Sequence, residues 1–123
     1  MIDDMGIFRT TIGVAHVAQP TLRHTLPDVM VDTGSEYNWI PRGSLLALAW
    51  SRNGTTVSRA LTREVGFARL FAGGRSAIAA VVFAELTDMV LLGAVGLESL
   101  NLRIDLGRKE LVLAGPVPVA AAA

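Results

Sequence analysis

The chain of 123 residues contains no cysteine, which excludes disulfide staples, a thiol nucleophile and thiolate metal sites. Charge is scarce as well. Only 18% of residues carry it, and eleven basic side chains cancel eleven acidic ones. Such a balance makes no electrostatic case for nucleic acid or an anionic membrane surface as a partner. The two histidines, His16 and His24, share no ligand spacing with a carboxylate cluster, so neither a metal nor another cofactor is expected. Gly93-Ala94-Val95-Gly96 lacks both the dinucleotide fingerprint and the lysine of a phosphate loop, which argues against nucleotide binding. Repeats, linkers and long charge runs are missing too. The opening Met1-Ile2-Asp3-Asp4 has no basic region followed by an apolar one, so a cytoplasmic location is expected. Ser76–Leu97 is strongly apolar, but Glu85, Thr87 and Asp88 sit at its middle. Two buried strands joined by a polar turn fit that pattern better than a membrane span.

What is abundant is apolar content, at 51% of residues. A chain of this length forms one domain with a single modest core, and so much apolar surface suggests that a partner covers some of it. The domain is expected to fill residues 1–123, with its core over about 5–113 and a loose tail over 114–123. Short β-branched and apolar runs recur about every ten residues between turn signals, which argues for a small all-β barrel or sandwich. Gly6–Val17 alternates as a strand, and Gln19–Pro27 reads as an exposed connection because of its two prolines. Ser44 is the expected N-cap of a short helical turn. Thr55–Leu70 reads as a long hairpin, Gly73-Gly74 as a turn, Ser76–Ala84 and Met89–Gly93 as buried strands. Val95–Leu102 allows one or two helical turns, and Arg103–Leu106 with Lys109–Leu113 forms a last hairpin.

The chemistry is concentrated in Val29-Met30-Val31-Asp32-Thr33-Gly34-Ser35-Glu36-Tyr37-Asn38-Trp39-Ile40-Pro41. One apolar run delivers a carboxylate, a hydroxyl residue and a glycine into a tight turn, and a second apolar run leaves it. Gly34 lets the backbone turn sharply and frees peptide N–H groups to face the Asp32 carboxylate. Read without any family, Asp32 is equally an Asx-turn aspartate. Downstream, Leu91-Leu92-Gly93 precedes a helical segment.

In this order and spacing the two motifs resemble the retropepsin-like aspartic proteases, particularly their small prokaryotic single-domain members, over about Met5–Leu113. The resemblance implies a small closed acid-protease barrel with one or two short helices. It also implies an aspartic endopeptidase that cleaves extended peptide or protein substrates. Two carboxylates sharing one proton are needed: one activates a water and the other polarises the scissile carbonyl. Since the chain has one Asp-Thr-Gly, the resemblance implies a two-fold homodimer with an Asp32 from each subunit at the axis. Catalytic roles then fall to Asp32, Thr33 and Gly34, with Thr33 locking the two loops together. Ser35, Glu36, Leu92 and Gly93 support them, and Thr56, Val57, Ser58 and Arg59 form the tip of a flap over the substrate. Parts of Gly6–Thr11 and Glu110–Leu113 would interleave beneath the dimer. A Ser35 hydroxyl bonded to Asp32 would lower the pKa of the dyad and favour an acidic optimum.

Departures from the family pattern are equally visible. Glu36 and Ala94 stand where viral members place an ion pair, so Glu36 needs another partner or remains solvated. The hairpin lacks the glycine-rich tip of the viral flap. Arg59, Arg63 and Arg69 read as a solvated strand face in preference to a substrate-facing stripe, and Trp39 and Trp50 as core in preference to a pocket. The alternative function is a catalytically weak or inactive peptide-binding or structural dimer on the same fold.

Overall fold

The computed structural model describes residues 8–48, 54–58 and 61–115, with the backbone alone for 54–58 and 61. It is mostly β, with two short helices. The strands are β1 (Phe8–Ala15), β2 (Arg23–Val31), β3 (Asn38–Pro41), β4 (Gly54–Ser58), β5 (Leu61–Ala72), β6 (Arg75–Ala84), β7 (Leu91–Leu92), β8 (Leu102–Asp105) and β9 (Glu110–Leu113). The helices are α1 (Arg42–Ala47) and α2 (Ala94–Leu100). Seven strands pair in the order β1-β2-β7-β3-β6-β5-β4, and β1 also pairs with β5, so the pairing returns to its first strand. The β8–β9 hairpin stands apart as a second, two-stranded sheet.

Alternation explains which faces meet. Phe8, Ile12 and Val14 point inward from β1, and Ala77, Ala79, Val81 and Phe83 from β6. In β2 the inward parity changes from even to odd. Leu26 packs against the core, but so do Val29 and Val31. A bulge at Pro27-Asp28 opposite Thr11 makes the switch, since the register runs Thr10↔Val29 and then Ile12↔Leu26. Asp28 absorbs the extra residue with φ of 59°. Pro27 therefore lies within a strand, at the one kind of interior position that tolerates a missing N–H. The expected exposed connection over Gln19–Pro27 is accordingly too long, because Arg23 already pairs with Ala15.

Gly73 and Gly74 both take positive φ, 56° and 77°, the requirement of a type I′ hairpin turn between β5 and β6. Helix α1 begins one residue after Pro41, so Ser44 lies inside it and does not cap it. The strand expected over Met89–Gly93 shrinks to Leu91–Leu92, and Met89 is exposed. Ala114 and Gly115 are pinned to Asn101 by hydrogen bonds of 2.9 and 2.8 Å, so the ordered chain runs past the expected end at Leu113. The remainder of the expected tail and Trp50 lie outside the described residues.

Leu45 of α1, Leu48 just after it, and Leu97 and Leu100 of α2 join the same core as Phe83, which is fully buried. Phe83→Ala should cost about 3–5 kcal/mol, read from urea unfolding, because removing a fully buried ring from the core cluster leaves a cavity. A loss below about 1 kcal/mol would place the core elsewhere.

Candidate active site

The Asp32 loop, residues 32–37, joins β2 to β3, but these strands do not pair with each other. Instead β7 lies between them, parallel to β2 (Met30↔Leu91, Val31↔Leu92) and antiparallel to β3 (Trp39↔Leu91). The apparent strand-loop-strand of the sequence is thus split by a segment some sixty residues downstream. That segment and the loop are joined through backbone. The Asp32 N–H donates to the Leu92 carbonyl at 2.9 Å, the Ala94 N–H to the Ser35 carbonyl at 2.7 Å, and the Val95 N–H to the Glu36 carbonyl at 2.9 Å. The first N–H groups of α2, which no preceding turn satisfies, are consumed by the loop carbonyls. Gly93 is required at the crossing. A Cβ there would sit 2.3 Å from the Tyr37 carbonyl oxygen and 2.7 Å from that of Ser35.

Within the loop, the Gly34 N–H donates to Asp32 Oδ1 at 2.9 Å and the Ser35 N–H to the Asp32 carbonyl at 3.1 Å. Asp32 is half-buried, whereas Thr33 and Gly34 are exposed. The Thr33 hydroxyl has no partner among the described residues. Ser35 departs from expectation: its hydroxyl donates to the Tyr37 carbonyl at 3.0 Å and not to Asp32. The postulated lowering of the dyad's pKa by that hydroxyl therefore loses its basis. Ser35 supports the loop through its main chain. Glu36 is exposed, and no ion-pair partner for it occurs among the described residues.

Asn38 is the residue that sequence reasoning missed. It is fully buried, its Nδ2 donates to the Ala80 carbonyl at 2.9 Å, and its Oδ1 accepts the Gly93 N–H at 2.9 Å. One amide thus ties β3, β6 and the start of α2 together. The available signal was parity, since Asn38 shares an inward strand face with Ile40.

The hairpin β4–β5 is present, with pairing from Gly54↔Val65 to Ser58↔Leu61. Thr56 and Val57 therefore lie within the ladder, Ser58 forms its last pair before the connection to β5, and Arg59 lies outside the described residues. Arg63 belongs neither to a substrate-facing stripe nor to a solvated face. It forms a bidentate pair with Asp88 at 2.6 and 2.9 Å, with the side chains 15% and 10% exposed. Asp88 also accepts the Glu85 N–H at 2.8 Å, and Arg42 bridges Glu64 and Glu85. These ties bind the hairpin to the 85–88 turn. Beside them lies a groove of about 290 Å³ lined by Pro41, Arg42, Ala84, Leu86 and Val90. The Arg63 hydrogen bond holds the Asp88 carboxyl below its usual range against the opposing effect of burial, and the same bond raises the Arg63 guanidinium.

Among the described residues no cluster of three or more His, Asp or Glu is placed to hold a metal, and no helix is long and apolar enough to cross a membrane. No protein-family model matches the chain, and no curated protein is significantly similar to it.

Two outcomes are expected. Asn38→Leu should lose about 2–4 kcal/mol in urea unfolding, because the Gly93 N–H and Ala80 carbonyl both lose a partner; an unchanged midpoint would refute the tie. For Asp88, a depressed folded pKa means stability that is complete above the unfolded value of about 4 and lost as pH falls through the folded value. The stability gap between wild type and Asp88→Asn should therefore hold from pH 7 to about 5 and shrink below about 4. A gap independent of pH would refute the assignment.

Proposed function

We propose that the chain is an aspartic endopeptidase of the retropepsin-like kind, working as a homodimer on peptides held in extended form. The observation that carries this reading is the docking of the loop from Asp32 to Glu36 onto the segment from Leu92 to Val95, where α2 begins, by three backbone hydrogen bonds. That motifs sixty residues apart meet supports the resemblance. The return of the strand pairing to β1 supports a small closed barrel. The β4–β5 hairpin supports a flap.

In this mechanism the Asp32 carboxylates of two subunits share one proton across the two-fold axis. One takes a proton from the attacking water, and the other donates a hydrogen bond to the scissile carbonyl. The proton then passes to the leaving amine. The Gly34 N–H fixes the orientation of each Asp32. Thr33, whose hydroxyl has no partner among the described residues, is available to bond across the axis. Exposed Tyr37 and Leu113 are among the apolar side chains that a second subunit would cover.

The test is cleavage of casein from pH 3 to 7 by wild type and Asp32→Asn, with the mass of each measured in solution. Asp32→Asn should remain dimeric and lose about 10²–10⁴-fold in rate, the usual worth of positioned acid–base groups. A dimer whose cleavage is absent, or survives Asp32→Asn, would move the reading to a peptide-binding dimer. A stable monomer would remove the dyad altogether.

A further inference from the structure

We propose that the outer face of β2, β1 and β5 carries a binding site for a small multivalent oxyanion, separate from the Asp32 loop and not dependent on it. The site is a groove of about 510 Å³ lined by Arg23 and Arg75, the hydroxyls of Thr11, Thr25 and Ser76, and the Phe71 ring. That volume lies in the range of small-molecule sites. Among the described residues no carboxylate lines it, although the chain as a whole is electrically neutral. Single-sign concavities of this kind concentrate counter-ions.

Strand register builds the site. Thr25, Gly13, Phe71 and Ser76 form one cross-strand row, and Arg23, Ala15 and Arg69 form the next on the same face. Gly13 supplies the hollow between them. A Cβ there would lie 2.7 Å from Arg23 Nε and 3.2 Å from Phe71 Cβ. Freed of that Cβ, the Arg23 guanidinium lies over the Phe71 ring at 3.8 Å from its centroid. This contact fixes the guanidinium plane while leaving its N–H edge for a planar oxyanion. Arg75 is held from the opposite side, its Nε donating to the Leu100 carbonyl at 2.7 Å.

Neither Arg23 nor Arg75 has an acidic partner among the described residues. Beside the groove, without lining it, Arg69 donates to Ser76 Oγ at 3.4 Å and keeps a buried Nε–H with no acceptor among the described residues. Arg23 and Arg75 thus bring two positive charges that no carboxylate among the described residues balances, which matches a ligand with two or more negative charges. Phosphate and carboxylate oxygens share the required chemistry.

The experiment follows amide chemical shifts of the full chain during titration with pyrophosphate, citrate or chloride at matched ionic strength. Saturable shifts should centre on Gly13, Gly73 and Gly74, with chloride without effect. Saturation by pyrophosphate alone assigns a phosphate ligand, and by citrate alone a polycarboxylate. Arg23→Gln should weaken binding about tenfold, while Asp32→Asn leaves it unchanged. Shifts scattered over the surface, equal effects of chloride, or undiminished binding by folded Arg23→Gln would overturn the site. Should Arg23→Gln not fold, the wild-type shift map decides alone: confinement to the groove supports it, and shifts elsewhere refute it.

Discussion

The backbone clamp between the Asp32 loop and the Gly93 segment is the constraint on which the rest depends. Three main-chain hydrogen bonds and the Asn38 amide hold two peptide segments closer than any side chain would permit. The crossing uses the orphan donors of α2 to engage the loop carbonyls of Ser35 and Glu36. In the same step it fixes where the Asp32 carboxylate stands. A loop carrying a carboxylate at the end of a strand is ordinarily free to move. Here it is over-determined from β2, β3, β7 and α2 at once, which is the rigidity that positioned acid–base chemistry requires.

Insertion of β7 between β2 and β3 demands that both neighbours present compatible faces. The Pro27-Asp28 bulge achieves this in β2. It lets Leu26 serve the core beside β1 while Val29 and Val31 serve it beside β7. Without the extra residue, one of these two sets would face solvent. The bulge is thus tied to the site although Asp28 itself is exposed. Asp28 pays the cost of a left-handed backbone so that the strand changes phase.

Charged groups are few, and the structure sorts them by role. Arg63 with Asp88, and Arg42 with Glu64 and Glu85, fasten the β4–β5 hairpin to the turn beneath it. The Arg63–Asp88 pair is the better shielded of these ties, so it is less weakened by salt than an exposed pair. On the outer face of β2, β1 and β5, Arg23 and Arg75 line a groove that no carboxylate among the described residues enters.

Much was legible from local pattern. The turns at Gly73-Gly74 and Glu85–Asp88, the strands over Phe8–Ala15 and Arg75–Ala84, the last hairpin and the short α2 all follow from periodicity and turn chemistry. So does the tight turn around Asp32, because glycine and an Asx carboxylate act within a few residues. The roles of Asn38, Ser35 and Arg63 were not legible. Asn38 acquires its partners from residues 42 and 55 positions away, and Ser35 turns to Tyr37 because its own carbonyl is held by Ala94. Arg63 finds an aspartate 25 residues on. The sequence by itself determined a β-rich chain with one candidate carboxylate loop, since alternation and turn propensity are local. Only the tertiary structure decided that β7 splits the strands around that loop, and which polar side chains hold it. Those choices depend on non-local register, which no short window of residues contains.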